Sequence, residues 1–138
     1  MANSSIAVTV QHGHNRQKQD HLNALVIDWI GDDANGTVPA LVLPKINGKL
    51  LSLKTDPGSP APTTLYDIAI TDDDGFDVLQ GVGADRSATV TQQARIVYAT
   101  TDSEPYVGEW QTLTLAITGQ TANGAKGRIV LTYLGMPV

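Results

Sequence analysis

Short runs in which every second residue is apolar constrain this chain more than any other feature. From Gln111 to Thr118, Leu113, Leu115 and Ile117 point one way, while Thr112, Thr114, Ala116 and Thr118 point the other. A period of two is that of a strand with one covered face, and a helix cannot bury such a pattern. Tyr66, Ile68 and Ile70 repeat it against Leu65, Asp67, Ala69 and Thr71, and Ile129, Leu131 and Tyr133 repeat it against Arg128, Val130, Thr132 and Leu134. Leu25 to Ile30 and Val38 to Leu43 are β-rich apolar runs, and Lys49 to Thr55 places Leu51 and Leu53 on one face. The many threonines favour strands, because branched side chains pack well on a pleat.

Turn chemistry separates these runs. Gly31 to Gly36, Asp72 to Gly75 and Ala122 to Gly127 are rich in Gly, Asn and Asp, and Asn47-Gly48 suits a tight hairpin. Asp56 to Pro62 carries three prolines, which forbid a central strand and predict an extended crossing. Residues 83–93 have room for a short helical turn capped by Asp85 or Ser87. Seven to nine strands at this spacing predict an all-β domain, a single antiparallel β-sandwich or jelly roll. A polar arm over residues 1–21, beginning with a strand at Ile6 to Val10, precedes that domain at 22–138.

Composition narrows the function. The chain has 138 residues, of which 41% are hydrophobic and only 5% aromatic, so one mostly aliphatic core is expected. Nine Lys and Arg against fourteen Asp and Glu leave a charge of −5, which argues against a nucleic-acid backbone as partner. Without cysteine there is no disulfide, thiol nucleophile or Cys-ligated zinc. The start lacks a basic region followed by an apolar stretch, and no apolar run reaches the ~20 residues that span a bilayer, so no membrane association is expected.

Each cluster with chemical potential has a plain structural counterpart. Asp72, Asp74 and Asp77 could offer oxygen ligands to Ca²⁺, but the EF-hand pattern and its distal Glu are missing, and a hairpin turn with solvated acids accounts for them. A small metal-dependent hydrolase would have to use the same three acids. His12 and His14 would share a face of an extended segment, yet no third ligand accompanies them. Gly81-Val82-Gly83 lacks the third glycine, the helix and the βαβ unit of a dinucleotide loop. Trp29 and Trp110 are candidate sugar-stacking platforms or, alternatively, packing residues. No catalytic residue and no cofactor is assigned.

The block Leu65 to Gly81, followed by Gly83-Ala84-Asp85-Arg86-Ser87, resembles one found in small tailed-bacteriophage virion proteins. The wider order resembles them too: Asp28-Trp29, a glycine and acid loop, Asp56 to Pro62, this block, the Leu113 to Leu115 strand and a terminal Gly127 to Leu134 strand. The resemblance spans about residues 25 to 135 and rests on turn signatures and strand patterns. It implies a non-enzymatic β-rich component of the virion, made in the host bacterial cytoplasm, that decorates or cements the capsid shell. A tail, neck or baseplate accessory is the alternative, and a carbohydrate- or receptor-binding module a further one. The implied partners are the major capsid protein or tail components, with a homo-oligomer, trimer before dimer, expected from virion symmetry. Ile6, Val8, Val10, His12, His14 and Arg16 are the expected partner-binding residues, since an unpaired strand edge invites augmentation.

Overall fold

The computed structural model describes residues 4–12 and 21–136. Among these residues nine strands succeed one another: β1 (Ser5–His12), β2 (His21–Ile30), β3 (Leu41–Val42), β4 (Asn47–Pro57), β5 (Asp67–Thr71), β6 (Gln92–Arg95), β7 (Tyr106–Val107), β8 (Thr114–Thr118) and β9 (Lys126–Met136). All pairings among the described residues are antiparallel. The larger sheet runs β1-β2-β9-β4-β6, with β7 also on β4, and the smaller runs β3-β8-β5. The result is an all-β sandwich without a helix among the described residues.

One apolar cluster joins the two sheets. The larger sheet contributes Leu25, Ile27, Trp29, Leu50, Leu53, Ile129, Leu131 and Tyr133; the smaller contributes Ile68, Ile70, Leu115 and Ile117. Full burial of an aliphatic side chain of this size contributes roughly 1.5–3 kcal/mol. Here the apolar faces read from residue alternation are the faces that are covered.

Four local expectations change. The first two residues of the expected Asp56 to Pro62 crossing belong to β4, paired with Arg128 and Gly127 of β9. In β4 the buried leucines are Leu50 and Leu53, whereas Leu51 is only half-buried, because the register with β9 shifts between Leu50 and Ser52. Such a bulge adds one residue to one strand and reverses the facing of the residues after it. Asn47-Gly48 is no hairpin turn but the start of β4. A Cβ on Gly48 would lie 2.3 Å from the Leu134 carbonyl oxygen, so glycine is needed for close approach of two backbones. Residues 83–93 form turns and the start of β6 instead of a helical turn. Ser87 Oγ accepts from the N–H groups of Thr89 and Val90, while the Asp85 N–H donates to Asp67, so side chains take the backbone groups a helix would have paired.

Turns Gly31 to Gly36, Asp72 to Gly75 and Ala122 to Gly127 lie where expected, with Gly36, Gly75 and Gly124 at positive φ. Gln120, which sequence pattern does not single out, gathers the loops at one end of the sandwich. Its Nε2 donates to the carbonyls of Gly36 and Ala122 at 2.8 and 2.9 Å, and its Oε1 accepts from the Thr63 N–H at 2.8 Å.

Candidate interaction surfaces

Of the segment expected to be an arm, Ser5–His12 is a member of the larger sheet, paired with β2 over eight residues from Ser5↔Ile30 to His12↔Asn23. Ile6, Val8 and Val10 face inward and pack, partly buried, against the core. Alternate residues Ser5, Ala7, Thr9 and Gln11 face outward and are exposed. His12 ends the strand, and His14 and Arg16 lie outside the described residues.

The six strands of the larger sheet outnumber the three of the smaller, and β1 is its terminal member. The other sheet ends are short or covered. β3 has two residues, β7 two and β6 four. The outer side of β5 is occupied by the following loop, through Ile68 N–H to Gly83 O, Val78 N–H to Ile70 O and the Tyr66↔Arg86 bridge. β1 therefore presents the longest open edge among the described strands. From Ser5 to His12 it contains no proline and no Lys, Arg, Asp or Glu, the residues that usually guard such an edge.

A second surface crosses the outer face of the same sheet. Leu22 is opposite Leu134, Leu134 is opposite Lys49, and Lys49 is opposite Tyr106, so four strands place these side chains in one row. Leu22 is 58% exposed and Tyr106 66%. Directly opposed residues share a face, so the row is a continuous strip of apolar surface with one cation in it. Beyond Tyr106 the chain turns, and Trp110 folds back over Gly108 while remaining 77% exposed. The Gly108 N–H donates to Gln111 Oε1 and the Gln111 N–H donates to Gly108 O, which closes this turn.

Nearer the other end of the sheet, Arg128 donates from Nε and Nη2 to the two carboxylate oxygens of its register partner Asp28, at 2.6 and 3.1 Å. This fork holds the Arg128 guanidinium above its ordinary pKa, chiefly through the hydrogen bond to Asp28.

The two tryptophans have opposite fates. Trp29 is 1% exposed and in contact with Tyr66, ring centroids 5.7 Å apart, so it is a core residue and no sugar platform. Its place on the inward face of β2, with Leu25 and Ile27, is the reason. Trp110 alone of the pair is available to a partner.

The acidic turn is held together by its own carboxylates. Asp72 Oδ1 accepts from the N–H groups of Asp74 and Phe76, at 2.9 and 3.0 Å. Asp77 accepts from Leu79 at 3.1 Å, Gly81 at 3.0 Å and Ile70 at 3.3 Å, which ties the turn to β5. Among the described residues no three His, Cys, Asp or Glu side chains are gathered as a metal site. No helix among them is long and apolar enough to cross a membrane.

No protein-family description matches this chain, and no curated protein matches it. Among solved structures it is similar to a chain of the Cyanophage Pam1 capsid asymmetric unit, with a TM-score of 0.49 and 14% identity over 91% of this chain and 90% of that one. It is also similar to the CBM22-1 xylan-binding domain from Paenibacillus barcinonensis, with a TM-score of 0.39 and 16% identity over 100% of this chain and 86% of that one. At these values neither likeness carries an argument about function.

Proposed function

We propose that this chain is a non-enzymatic structural protein of a tailed-phage virion that decorates or cements the capsid shell. The observation that carries the reading is the open edge of β1, eight residues long and free of guarding charge or proline. Unpaired backbone groups along such an edge accept a strand from a neighbour, and the half-buried Ile6, Val8 and Val10 beneath it gain cover in the same event. The outer-face row of Leu22, Leu134 and Tyr106 supplies a second contact patch. The sequence resemblance supplies the class of partner: the major capsid protein, or tail components if the protein serves at the neck or baseplate. Association as a trimer suits the rotational symmetry of virion sites.

Quantitative mass spectrometry of purified particles tests this. A fixed ratio to the major capsid protein, at hundreds of copies, is expected for a decorating protein. A handful of copies would move it to the neck or tail, and absence from particles would overturn the virion role.

Trp110 supports a second reading, a sugar- or receptor-binding sandwich, because its indole is held over Gly108 with 77% of the residue exposed. A glycan array that stays silent with the intact protein would end it.

A further inference from the structure

Among the described residues, three side-chain polar atoms buried in the core have no hydrogen-bond partner: Trp29 Nε1, Tyr66 Oη and Arg86 Nη2. They belong to one neighbourhood. The rings of Trp29 and Tyr66 are in contact, with centroids 5.7 Å apart. Tyr66 and Arg86 are partners in an antiparallel bridge, with the Arg86 N–H donating to Tyr66 O at 2.7 Å, so their side chains leave the backbone on the same side.

Arg86 is the unusual member. It is only 6% exposed, and its guanidinium is anchored by neutral acceptors alone: Nε donates to Thr55 Oγ1 at 3.0 Å and Nη1 to Val82 O at 2.8 Å. None of the ion pairs formed among the described residues includes it. Burial pulls its pKa below the usual arginine value, against a smaller opposing effect of Tyr66. A cation in such a setting is costly unless an anion joins it.

The chemistry of the three groups selects the ligand. The indole N–H and guanidinium N–H only donate, and the phenol can donate. Three donors around a buried positive charge suit a single acceptor that carries negative charge. A water molecule would satisfy the hydrogen bonds but leave the charge. One enclosed cation is matched by one negative charge, and a group walled in by core residues admits only a small ion. We propose that Trp29, Tyr66 and Arg86 form a buried site for one small monovalent anion of halide size.

Bromide is the probe. The intact protein crystallised from sodium bromide, with data at the bromine absorption edge, should give an anomalous peak within hydrogen-bonding distance of Trp29 Nε1, Tyr66 Oη and Arg86 Nη2. In solution, Tm should be about 3–6 °C higher in sodium bromide than in sodium gluconate at equal ionic strength, since gluconate is too large to enter. Arg86→Met should abolish that difference whatever its own Tm. Equal Tm of the unaltered protein in the two salts, or a position without anomalous signal, would overturn the site.

Discussion

The indole of Trp29 on β2 packs against the bare backbone of Gly127, its register partner on β9. A Cβ at position 127 would stand 2.6 Å from Trp29 Cε2 and Cζ2. Gly127→Ala must therefore displace a fully buried ring, and an overpacked core of this kind costs about 1–3 kcal/mol. Urea unfolding monitored by circular dichroism should report that loss with little change in m.

The two tryptophans should separate cleanly in mutagenesis. Trp29→Ala empties the centre of the core and is expected to cost about 3–5 kcal/mol. Trp110→Ala removes an exposed ring and should stay within about 0.5 kcal/mol of the parent. The fluorescence of the Trp110→Ala protein, then due to Trp29 alone, should be blue-shifted and resistant to iodide quenching.

In the acidic turn, Asp77 and Asp74 should differ although they share a side-chain type. Asp77→Ala strands three backbone N–H groups and should destabilise by about 2 kcal/mol. Asp74→Ala, at an exposed position, should be near neutral in the same thermal unfolding experiment. Because these carboxylates are engaged by backbone donors, neither calcium nor a chelator should shift Tm.

Stability should fall at alkaline pH. Burial raises the pKa of Tyr66, opposed by Arg86 and reinforced by Asp56, and burial also raises that of Tyr133. A raised folded-state pKa means that the native protein holds its protons longer than the unfolded chain. The associated stability is complete below the ordinary tyrosine value of 10.0 and is lost as pH climbs from there through the raised folded values. Tyr66→Phe should flatten this loss in a pH series of denaturation midpoints.

The β1 edge can be guarded by a single substitution. Val8→Lys places a charge on its half-buried inner face, the device by which natural edges avoid pairing. The variant should remain folded, at a cost of about 1–2 kcal/mol, and incorporate into particles at least tenfold less than the parent. Normal incorporation would show that β1 is not the contact.

How much of the fold is legible in the residues depends on the range of the interaction involved. The inward faces of β5, β8 and β9 are readable because side-chain direction alternates within one strand, and Leu113, Leu115, Ile117, Ile129 and Leu131 are all buried. Gly36, Gly75 and Gly124 are readable as turn residues because positive φ is a local demand. The open edge is visible only as a strand at Ile6 to Val10. That it lies at the end of a six-stranded sheet comes from the pairing of β2 with β9.

Partner choice is the part that alternation does not encode. Leu22 opposite Leu134 and Trp29 on Gly127 join residues about a hundred positions apart, and a period of two is the same whichever strand lies alongside. The bulge after Leu50 arises from the same cause: β4 must match β9, and one added residue turns Leu51 away from the core. The burial of Arg86 follows from the loop that carries it, which bridges back to Tyr66 and encloses it. Strands, apolar faces and turns are therefore written in the residues themselves, because backbone sterics and side-chain direction act over a few positions. Which edge stays open, which tryptophan is buried and where a cation is enclosed are properties of the assembled sandwich, because they depend on contacts between distant segments.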